Sequence, residues 1–102
     1  MTPKVLIPKL VQLRSQMQAP NAVIFLHYAE SKLNTKWDDE AEAMNDGFPC
    51  SLVFIQDAME QEIIHFNTLK LDMDAEDRKR VMALNRLFRI LKDIASKYGY
   101  YH

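Results

Sequence analysis

Glycine is scarce, with two in 102 residues where average usage would give about seven. Hairpin-rich sheets use glycine for turns with positive φ. Asn-Gly does not occur, and Asp46-Gly47 is the one Asp-Gly. The shortage argues against a β fold, and six Met with abundant Leu and Ala point to helices. Cysteine is rarer still. Cys50 stands alone, which excludes an intramolecular disulfide and a thiolate zinc site. A lone thiol, expected to be a small buried hydrophobe, fits a reducing compartment, so the expected location is the cytoplasm.

Long apolar runs are also missing. Pro8, Lys9 and Arg14 break up the run that starts at Val5, which rules out a signal-peptide core there. No stretch approaches the roughly 20 apolar residues that cross a bilayer. Nor does one sign of charge dominate: 13 Lys and Arg face 14 Asp and Glu, for a net charge of −1. No overall field therefore draws the chain to a membrane or a nucleic acid.

At 102 residues, 48% of them hydrophobic, the chain has the size of one domain with one core. Four helices can be read along residues 1–102. The last is the clearest: Asp72, Asp74, Glu76 and Asp77 place acids at its cap and first turn. Val81, Leu84, Phe88, Leu91, Ala95 and Tyr98 then follow 3-4-3-4-3 spacing, widened by Leu87 and Ile94. Lys97 and Gly99 supply the stop. The preceding helix spans about Pro49 to Leu71, with Leu52, Ile55, Met59, Ile63 and Phe66 on one face. Val53, Phe54 and Ile64 fall off that face, which predicts burial on more than one side. Leu52 to Ile55 also reads as a short buried strand, but the helix formers that follow favour helix.

The first helix begins near Pro3 or Pro8, carries Leu6, Leu10, Leu13 and Met17 on one face, and ends at Ala19-Pro20-Asn21. Pro20 then suits the first turn of a second helix running to about Asn34. An acidic stretch from Lys36 to Phe48 follows. The expected architecture is an all-α, antiparallel four-helix bundle forming a single domain, with an acidic loop between its second and third helices.

The sharpest chemical motif is Glu62-Ile63-Ile64-His65, a carboxylate and an imidazole three apart on a helix. With His27 and Glu30 it could complete a metal site, but the first helix has no acid and three-residue matches arise by chance. The simpler reading is a histidine near a helix surface. No Gly-rich phosphate loop or nucleophile elbow occurs, so no enzyme, catalytic residue or cofactor is expected. Eight acids and no Lys or Arg lie between Trp37 and Leu69. From Lys70 onward, eight bases meet five acids. Arg78, Lys79, Arg80, Arg86 and Arg89 could touch phosphates, but pairing of the acidic and basic helices, within the fold or between subunits, is the simpler account and makes nucleic acid the less favoured partner.

Trp37, Phe48, Ile64, Tyr98, Tyr100 and Tyr101 are the expected apolar anchors of a protein interface, where aromatic rings combine large area with a polar tip. Asp38, Asp39 and Glu40 would select a basic partner surface. The reading is a small non-enzymatic interaction domain, of an adaptor, inhibitor or immunity-like kind, that binds another protein or itself as a homodimer.

Overall fold

The computed structural model describes residues 3–34 and 47–97, and the fold among them is a four-helix bundle. A 3-10 turn, Pro3–Leu6, leads into α1, Ile7–Ser15; α2 is Pro20–Asn34, α3 Phe48–Thr68 and α4 Ala75–Lys97. Pro8 and Pro49 both sit in the first turn of a helix, where the missing N–H has no intrahelical partner to lose.

α4 begins on a reciprocal cap. Asp77 N–H donates to the Asp74 side chain (2.9 Å), and Asp74 N–H donates back to the Asp77 side chain (3.2 Å). This is a capping box built from two aspartates, with Arg80 paired to Asp77 from the next turn. Leu84, Leu87, Leu91 and Ala95 are buried, and each buried Leu contributes about 1.5–3 kcal/mol. Phe88, expected within this stripe, is half-buried, and Leu87, expected only to widen it, is buried.

α3 packs against both α2 and α4. Leu52 and Ile55 are buried while Val53 between them is 53% exposed. That is helical period, and it settles the strand-or-helix ambiguity of 52–55 for helix. The buried face is rotated from the one expected: Ser51, Leu52, Ile55, Ala58, Glu62 and Phe66 point inward, while Ile63 is 40% exposed. The cause is close approach to α2, whose inner face alternates Ala22, Leu26, Ala29 and Leu33. The Ser51 hydroxyl is within hydrogen-bonding reach of the Gly47 carbonyl (2.8 Å) and, across the seam, of the Ala29 carbonyl (3.4 Å). The Asn21 amide donates to Gln61 (3.4 Å), so residue numbers fall along α3 as they rise along α2.

α3 stops in a Schellman motif: Leu71 N–H reaches the Phe66 carbonyl (3.0 Å) and Lys70 N–H the Asn67 carbonyl (3.2 Å). Lys70 takes the left-handed position, with φ 55°, a conformation that glycine adopts without steric cost. Lys70→Gly should therefore stabilise the fold, by about 1 kcal/mol, read as a higher midpoint in urea with an unchanged slope. A lower midpoint would show that the Lys70 side chain contributes more than its backbone costs.

Candidate interaction surface

The residues of the metal alternative do not converge. Among the described residues no group of three or more His, Cys, Asp or Glu is placed to hold a metal. The Arg14 guanidinium, from α1, donates to His27 Nδ1 (2.9 Å) and to the Glu30 carboxylate, so a side-chain cation occupies the space between that pair. Glu62, expected partly off the apolar face, is instead fully buried. Both its oxygens accept from Gln18 N–H, at 3.0 and 3.2 Å. Gln18 lies in the turn just before α2, near the helix end where partial positive charge favours an anion. Glu62 thus ties the α1–α2 turn to α3. His65 is half-buried and edge-on to Phe66, with centroids 5.9 Å apart. With Ile64 it lines a cleft of about 160 Å³ at the start of α2, below the roughly 300 Å³ at which small-molecule sites begin.

The anchors expected from sequence fare unevenly. Ile64 is 51% exposed, on the outer side of α3. Phe48 is not a surface anchor: it is 2% exposed and belongs to the core, because α3 starts at this residue and turns its ring inward. Trp37, Asp38, Asp39, Glu40, Tyr98, Tyr100 and Tyr101 lie outside the described residues. Cys50, expected to be buried, is exposed on the first turn of α3.

In their place, the structure brings together an aromatic surface along the α2–α3 seam. The Phe54 ring lies 5.3 Å from Tyr28 and 6.3 Å from Phe25, centroid to centroid. Tyr28 is half exposed, as is Ile24 one turn before it, and Val53 extends the apolar area on α3. Val53, Phe54 and Ile64 were expected to fall under a second neighbour. Val53 and Ile64 are about half exposed, while Phe54 is half-buried against the core and against the rings of Phe25 and Tyr28. The signal was visible in the sequence: bulky residues off the inward face of an amphipathic helix mark an outer apolar surface as readily as a second buried one.

The five basic residues of α4 that could touch phosphates divide in two. Lys79 pairs with Glu76 (3.3 Å) and Arg80 with Asp77 on the same helix, so their charges are already met. Arg78, Arg86 and Arg89 are exposed. No described helix is long and apolar enough to cross a membrane. No family model matches this sequence, and no curated protein or solved structure matches it either.

Proposed function

We propose that the chain is a non-enzymatic protein–protein interaction domain of the cytoplasm, an accessory protein of the adaptor, inhibitor or immunity-like kind. The observation that supports this reading best is the aromatic surface of Phe25, Tyr28 and Phe54 with the exposed Ile24 beside it. Apolar area of this kind on a small domain is characteristic of a binding face, and tyrosine anchors such faces because it presents a large ring with a polar end. Trp37, Tyr98, Tyr100 and Tyr101 add further aromatic anchors in this reading, and Asp38, Asp39 and Glu40 favour a basic partner surface. The metal-dependent alternative draws less support, since His27 and Glu30 are engaged by Arg14 and Glu62 by Gln18 N–H, which leaves His65 alone of the four.

Native mass spectrometry of untagged protein, purified without chelators, tests the proposal. A metal-free species bound to a second protein or to itself is expected. Tyr28→Ala combined with Ile24→Asp should weaken binding to a different protein at least tenfold, about 1.4 kcal/mol, with helicity unchanged. A stoichiometric metal adduct would overturn the reading and direct attention to Glu62 and His65.

A further inference from the structure

A second apolar surface lies on the other side of α3. Met59 and Ile63 from α3 meet Val81 and Met82 from α4 around a groove of about 310 Å³, with Glu60 and Asn85 at its edge. Met82 is 55% exposed and Ile63 40%, although both stand beside a neighbouring helix that could have covered them. On α4, Arg78, Met82, Arg86 and Arg89 are spaced four, four and three apart, so they form one outward stripe along the groove. On α3 the exposed charge beside the groove is Glu60. Among the described residues, Glu60, Arg78, Arg86 and Arg89 make no ion pair or side-chain hydrogen bond.

We propose that this α3–α4 face binds a second copy of the chain, about a two-fold axis running along the groove. A rotation about that axis exchanges the two sides of the face, setting α3 of each copy against α4 of the other. Glu60 and Asn85 border the same groove, so Glu60 and the adjacent Arg86 stand at similar height, and each Glu60 meets Arg86 of the other copy. Met82 of one copy packs on Ile63 of the other, with methionine adapting to the irregular floor. The alternative two-fold, across the groove, would set α4 on α4 and oppose arginine to arginine, so the charge pattern selects the first arrangement. The net charge of −1 leaves no general repulsion between copies. Rim ion pairs add little affinity; their role is orientation, and the apolar floor supplies the attraction. A face two helical turns long is at the small end of specific interfaces, so the dimer is a weak, concentration-dependent one.

Sedimentation equilibrium on the full chain tests this, with circular dichroism to verify folding. The parent should dimerise reversibly at micromolar concentration. Met82→Asp, a change at an exposed position, should weaken the dimer at least tenfold. Glu60→Arg and Arg86→Glu should each weaken it, because each homodimer would oppose like charges twice. Mixed in equal amounts, those two variants should associate with each other as tightly as the parent does with itself. In the mixed dimer the two substituted positions face each other with opposite charges, and the second pair keeps its parental charges. Tyr28→Ala should leave all of this unchanged, which separates the dimer from the aromatic surface. A parent that stays monomeric to millimolar concentration overturns the proposal. So does a dimer indifferent to Met82→Asp, or a mixture that does not associate.

Discussion

Replacement of Glu62 by alanine is expected to cost about 3 kcal/mol, combining an unpartnered buried N–H with the cavity left by the side chain. Glu62 is fully buried, and its two oxygens are the acceptors for Gln18 N–H. Without them the α1–α2 turn loses its link to α3, and the space above Ala58 and Phe66 is left empty. In a domain of this size each kcal/mol moves the melting temperature by roughly 4–8 °C, so the variant should melt more than 10 °C below the parent. Glu62→Gln keeps an acceptor oxygen and most of the volume, and should lose only about 1 kcal/mol. Thermal melts by circular dichroism distinguish the two. If alanine and glutamine prove equally mild, the tie to Gln18 is not holding the turn.

Ala29→Leu is the second large effect, expected to destabilise by about 3 kcal/mol through overpacking. Ala22, Ala29 and Ala58 are all fully buried, and Ser51 reaches the Ala29 carbonyl across the seam. Small side chains on both helices let the two backbones come together, and Ala29 is fully enclosed, so a leucine must fit three further carbons into the packed seam. The leucine must either push α2 away from α3, breaking the Ser51 contact, or adopt a strained rotamer. Urea unfolding measures the loss. A midpoint unchanged from the parent would show that the seam is looser than the Ser51 contact implies. Leucine is a good helix former, so any loss reports packing and not helix propensity.

The contrast between these two sites marks how far the sequence could be read. The start of α2 at Pro20 and the acid-capped start of α4 were legible because each depends on chemistry within four residues. The apolar stripe of α4 was legible for the same reason, since 23 residues of one helix carry their own period. The burial of Glu62 was not legible: its partner is a backbone N–H 44 residues away, and every main-chain amide looks alike from sequence. The inward face of α3 was legible in part: apolar spacing marks Leu52, Ile55 and Phe66, but it cannot show that Ser51, Ala58 and Glu62 share that face in place of Ile63. Ser51 and Ala58 are inside because they are small enough for α2 to approach, and Ile63 and Ile64 are outside because that approach rotates them away. Phe48 was assigned to the surface because it adjoins an acidic stretch, whereas the helix that begins at it decides where its ring goes. The exposure of Ile64 was legible, and the pairing of Tyr28 with Phe54 was not, since it joins two helices.

The exposure of Cys50 on α3 has a practical consequence for handling. With one thiol in the chain, any disulfide must link two molecules, and an accessible sulfur makes that reaction available during storage in air. Such a covalent pair would pass for native self-association on a sizing column, yet a reductant would dissolve it. The same sulfur offers a single attachment point for a fluorophore or spin label at the first turn of α3, with no background from any other position.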